Sequence, residues 1–138
     1  MRRFTACVLT ALLGAGPFLC VAPAARAQTP ASPAEIAQLG DVFVGTLEID
    51  VPAGGSAVKR YFAKDHTYRD TGTEGDNTGT WRLDGDRVCT QQTDPPVLAP
   101  PYCNMGLHRK LGERWTVSDP VTTNTVIFTL APGRKGAP

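Results

Sequence analysis

The side chains best equipped for chemistry in this 138-residue chain are a scatter of acids, two histidines and four cysteines. Asp84 and Asp86 flank Gly85. A glycosidase needs two carboxyl groups facing each other across a cleft of about 5–10 Å, in unlike environments. Two acids in one tight hairpin are solvated and equivalent, so this pair predicts a turn. Glu74-Gly75-Asp76-Asn77 offers oxygens of the kind calcium takes, but the spacing departs from the Asp-x-Asp-x-Asp-Gly loop, and a turn is again expected. His66 lies near Asp65 and Asp70, yet close neighbours in a hairpin are a poor start for a triad. Ser32, Ser56 and Ser118 fall at turns or strand ends, and no Gly-x-Ser-x-Gly elbow is present. No glycine-rich phosphate loop follows a strand and opens a helix. The sequence therefore predicts no enzyme, no catalytic residues and no cofactor.

The cysteines tell more. Met1-Arg2-Arg3 followed by the apolar run from Phe4 to Ala22 and by Ala25-Arg26-Ala27 has the layout of a secretory signal, with cleavage expected before Gln28. Gly14, Gly16 and Pro17 break the apolar run, so no retained membrane anchor is expected. Leu19 before Cys20 is too bulky for a lipidation site. Loss of the leader removes Cys7 and Cys20 and leaves Cys89 and Cys103, one pair with one possible intramolecular disulfide in an oxidising compartment. A zinc site needs about four ligands. His66 and His108 show no ligand spacing, so no metal is expected. The same loss takes three of the 14 basic residues and leaves 11 against 13 acidic ones, a net charge of −2. That balance excludes a nucleic-acid binder, which needs a basic face for phosphates. Together these features predict a periplasmic or secreted protein.

The elements that position these residues follow from periodicity. Residues 28–33, rich in Pro, Ala and Ser, predict a flexible lead-in. Ser32-Pro33-Ala34-Glu35 predicts the start of a short helix that Gly40 ends, so residues 28–40 form lead-in and helix. From Asp41 the period becomes two. Phe43, Gly45, Leu47, Ile49 and Val51 alternate with polar positions, ending at Pro52 and the Gly54-Gly55 turn. Further strands are predicted over 57–63, 66–69, 79–83, 87–92, 101–107, 114–118 and 124–130. A polar loop is expected over 71–78, an Asp84-Gly85 hairpin after it, and a proline-rich loop over 93–101. About eight short strands at spacings near ten residues predict one all-β domain over 41–131. The expected architecture is an antiparallel meander closed as a barrel, with a β-sandwich as the alternative. Residues 132–138 predict a disordered tail. The inward aromatic set, as core or ligand wall, is Phe43, Phe62, Tyr68, Trp81, Trp115 and Phe128.

Tyr61-Phe62-Ala63-Lys64-Asp65-His66-Thr67-Tyr68, then Gly79-Thr80-Trp81, then a strand ending in Cys89 and the pair Tyr102-Cys103, resembles the small exported lipocalin-like β-barrel domains of bacteria. The resemblance spans residues 43 to 130. It implies a barrel and export, and no reaction. His66 departs from the pattern, which usually has Gly there; a type I′ turn would need positive φ at that position.

A barrel of about eight strands is filled by its side chains or holds one small ligand. The expected role is thus an exported, monomeric binding module for a small apolar ligand or an envelope partner. The alternative is an inhibitor of a protease or lysozyme, acting through the 93–101 loop or the 28–33 arm. Pro95, Pro96 and Pro100 on that loop, and the basic run His108-Arg109-Lys110, are the expected partner-facing residues.

Overall fold

The computed structural model describes residues 29–134; the expected leader, residues 1–27, lies outside them. Among the described residues the fold is one short helix and eight antiparallel strands. Helix α1, Pro33–Leu39, starts as its sequence dictates. Ser32 Oγ accepts from Glu35 N (3.2 Å) while Glu35 Oε2 accepts from Ser32 N (2.7 Å), a reciprocal capping box. Gly40 ends it at φ +66, and a Cβ there would sit 2.6 Å from Arg109 O. A single 3-10 turn, Asp41–Phe43, carries the chain into the sheet.

The strands are β1 (Gly45–Val51), β2 (Ser56–Phe62), β3 (Thr67–Gly72), β4 (Asn77–Asp84), β5 (Arg87–Asp94), β6 (Tyr102–Gly106), β7 (Arg114–Ser118) and β8 (Thr125–Pro132). They form one sheet in the order β6-β5-β4-β3-β2-β1-β8-β7, coiled into a nearly closed barrel whose seam lies between β6 and β7. Alternate residues turn inward: Leu47, Ile49 and Val51 on β1, Val88 and Thr90 on β5, Val126, Phe128 and Leu130 on β8. Cys89 and Cys103 are directly paired across β5 and β6 and joined by the expected disulfide.

The lower end of the barrel is plugged. Leu39, Val42 and Phe43 pack onto Phe62, Trp81, Leu47 and Leu130, all buried in one cluster. Phe43 and Phe62 meet the Trp81 ring at centroid distances of 5.7 and 6.3 Å. Each such side chain taken fully out of water contributes about 1.5–3 kcal/mol.

Several expectations need amendment. Phe43 lies in the 3-10 turn and not in the first strand, although its ring is buried as foreseen. The polar loop over 71–78 shrinks to a turn at 73–76, because β3 runs to Gly72 and β4 begins at Asn77. Thr71 and Thr78 are thus strand residues, while Thr73, Glu74 and Asp76 remain in the turn. The lead-in is docked from Thr29 on: Ala31 is buried, and its N donates to Lys64 O at 2.6 Å. The start of the expected tail is held as well. Pro132 closes β8, and Arg134 Nη1 donates to Phe43 O and Phe62 O, each at 2.8 Å.

Candidate functional site

Above the plug the barrel interior is not filled. A cavity of about 300 Å³ lies between Ile49, Val51, Val88, Val126 and Phe128, opening at the end away from α1 beneath the 95–101 loop and Asp119. That volume equals the liquid share of about ten waters and reaches the lower range of small-molecule pockets. Two hollows of about 620 and 550 Å³ lie on the outside of the barrel, over β1–β3 and over β3–β4. They lie on the outer face of the sheet, with Glu48, Asp50, Lys59 and Arg69 in their walls, whereas the interior cavity is bounded mainly by buried apolar side chains and is the stronger candidate.

One charged construction stands inside. Arg60 on β2 and Asp70 on β3 face each other in register and pair through two hydrogen bonds, Nε to Oδ1 and Nη2 to Oδ2, both 2.7 Å. Their side chains are 15% and 4% exposed, so the pair is withdrawn from water. Arg60 Nη1 also donates to Thr90 Oγ1 at 3.1 Å, and the guanidinium lies 4.1 Å above the Tyr68 ring. Burial alone would lower the Arg60 pKa; the Asp70 hydrogen bonds and charge outweigh it and hold the group above its ordinary value. A fork of five N–H groups with three used leaves two donors, one on each terminal nitrogen, with no acceptor among the described residues.

Two phenols, Tyr68 and Tyr102, join Arg60, Thr90, Gln91 and Gln92 in the polar part of the wall. Burial foremost pushes the Tyr68 and Tyr102 hydroxyls up, so both stay protonated at neutral pH. Tyr102 OH accepts from Asn104 Nδ2. The Tyr68 ring can lie flat only because Gly79 is opposite: a Cβ there would come within 2.5 Å of the ring and 2.2 Å of Gln91 O. At the rim, Asp119 accepts from Val121 N and Thr122 N at Oδ1, and these bonds lower its pKa.

The expected aromatic set divides by depth. Phe62, Tyr68 and Phe128 line the cavity, whereas Phe43 and Trp81 belong to the plug. Trp115, half-buried, stacks on Phe128 at 5.3 Å. Pro100 reaches the cavity mouth, while Pro95 and Pro96 are exposed on the loop with Val97 and Leu98. His108 and Lys110 are exposed. Arg109 is engaged by the fold instead, 4.2 Å over the Trp115 ring and paired with Glu113, and its O accepts from Asp41 N.

His66 takes a positive φ, +64, the conformation a type I′ turn requires. Its Nδ1 is 2.9 Å from Thr29 O, its Nε2 is 3.2 Å from Glu35 Oε1, and its ring lies 4.5 Å from that of Trp81. His66 thus ties the N-terminal segment to the barrel floor and faces neither Asp65 nor Asp70. Asp84 and Asp86 are exposed at their hairpin, beside Arg82 and Arg87. The grouping of Asp84 with Cys89 and Cys103 offers no metal thiolates, since both sulfurs are in the disulfide.

Sequence reasoning missed Arg60 and Asp70 as a site. The signal was there: Arg60 shares the phase of Val58 and Phe62, and Asp70 that of Tyr68, so both must point inward. Comparison with known proteins finds no matching family model, no similar curated protein and no similar solved structure.

Proposed function

We propose that this protein is a non-enzymatic binding module that holds one small, largely apolar molecule in the upper half of its barrel. The observation that carries this reading is the contrast within one interior. The lower half is packed with Leu39, Val42, Phe43 and Trp81, while the upper half leaves about 300 Å³ between mostly apolar walls, and Arg60 in that wall keeps two N–H donors that no described residue accepts. Small-molecule sites combine mostly apolar lining with a few placed polar groups in this way. Val97, Leu98 and Val121, exposed on the two loops near the mouth, suit the approach of an apolar guest.

The compartment belongs to the same proposal. Among the described residues no helix is long and apolar enough to cross a membrane, and the Cys89–Cys103 disulfide is compatible with an exported, lipocalin-like protein. The test is titration with the uncharged fluorophore N-phenyl-1-naphthylamine. One probe per chain should bind with enhanced emission, and Val126→Trp, which fills the cavity, should abolish the signal while the fold is retained. Equal binding by the filled variant would place the probe on the outside and remove the reading.

A second reading retains one specific observation. Leu98 is fully exposed on a proline-containing loop whose base is pinned by the disulfide, a geometry that costs little ordering entropy on insertion into an enzyme cleft. The 29–32 segment, with Ala31 buried, favours the loop over the arm for such a role.

A further inference from the structure

The charges around the upper barrel narrow the chemistry of its guest. Arg60 is the cation of the cavity wall among the described residues, and it is already bound by Asp70 through both carboxylate oxygens. The other charged group lining the cavity is Asp119, at the rim. The wall and the group directly behind it therefore sum to one positive and two negative charges. An incoming carboxylate that reached the free Arg60 donors would be brought up against Asp70 in a poorly hydrated space, where like charges repel strongly. It would also pass Asp119 on entry. A cation would meet the guanidinium at the inner end and leave both spare N–H groups without an acceptor, a cost comparable to a lost hydrogen bond for each. A neutral oxygen acceptor suffers neither penalty. It can take an N–H from Arg60, and the Tyr68 hydroxyl, which has no partner among the described residues, can serve the same oxygen. Ile49, Val51, Val88, Val126 and Phe128 supply the apolar surroundings for the remainder of the molecule.

Resting on the reading of the upper barrel as a binding cavity, we propose that its ligands are uncharged apolar molecules bearing a carbonyl-type oxygen, such as ketones, esters or lactones, and that the Arg60–Asp70 pair selects them against carboxylates. Specificity here comes from a repulsive element, Asp70, as much as from the attractive one.

Calorimetric titration of the purified, disulfide-intact protein at pH 7 with decan-2-one, decanoate and decylammonium, each below its micelle concentration, tests this. The ketone should bind at least about tenfold more tightly than either ion. Asp70→Asn unpairs the guanidinium at constant volume and should raise decanoate affinity at least about tenfold, erasing the discrimination. Because that variant leaves a buried cation unpaired and can lose the fold, Asp119→Asn is the second variant. Its Asn oxygen can still accept from Val121 N and Thr122 N, so the loop survives, and decanoate should gain roughly two- to fivefold in affinity for one screened charge. Decanoate or decylammonium binding as tightly as the ketone to the wild type overturns the inference and leaves the cavity reading intact. So does unchanged decanoate affinity in the folded variants. No binding by any of the three, with the fluorophore also silent, removes the cavity reading itself.

Discussion

Glu35 does two jobs with one carboxylate. Oε2 closes the capping box on Ser32 and Oε1 meets His66 Nε2, so the start of α1 and the β2–β3 turn are joined through it. The Ser32 backbone N–H first, then the Ser32 hydroxyl and His66, hold its pKa down at about 2 against an ordinary 4.5. A lowered carboxylate pKa contributes stability that is present above the unfolded-state value and disappears as pH falls through the folded one. The melting temperature of Glu35→Gln should therefore lie below wild type at pH 6, and the gap should close between pH 4.5 and 2. A gap independent of pH would show that the charge contributes nothing. His66 illustrates what single residues hide. Its place at a turn is legible from Asp65 and Thr67, but its partners, Thr29, Glu35 and Trp81, come from three separate segments that only the fold brings together.

At the scale of elements, β6 is the vulnerable piece. It is a five-residue strand that forms one wall of the seam and pairs with β5 alone among the described strands. The Cys89–Cys103 bond fixes it, closing a sequence separation of 14 that loop-closure entropy values at about 3 kcal/mol. Replacing both cysteines by alanine should lower unfolding free energy by about that amount in urea titration, and hydrogen exchange should quicken first in Tyr102–Gly106. Unchanged stability would contradict a structural role for the bond. Strand existence was legible because alternation and turn residues repeat: Asp84-Gly85 marks its hairpin, and Arg114–Ser118 has the bounds its pattern suggests. Strand length was less legible. Asp70 and Asn77 extend β3 and β4 into a stretch whose composition reads as loop, because register with Arg60, a long-range property, decides which polar residues belong to the sheet.

For the whole molecule, the barrel is a container closed at one end. Helix α1 and the 3-10 turn seal the floor, His66 ties Thr29 to it and Arg134 reaches Phe62 O, and the 95–101 and 119–124 loops rim the mouth. The aromatic inventory in the sequence foretold an oily interior. It did not foretell that the plug would use Phe43 and Trp81 and leave the upper half open, because filling depends on side-chain volumes at opposing positions around a closed sheet. A crystal of the protein pressurised with xenon tests the central claim most directly, since xenon enters dry apolar cavities and not filled ones. The expected result is a single strong peak inside the barrel, bounded by Ile49, Val88, Val126 and Phe128. A barrel interior without xenon, its upper half occupied by repacked side chains, would contradict it.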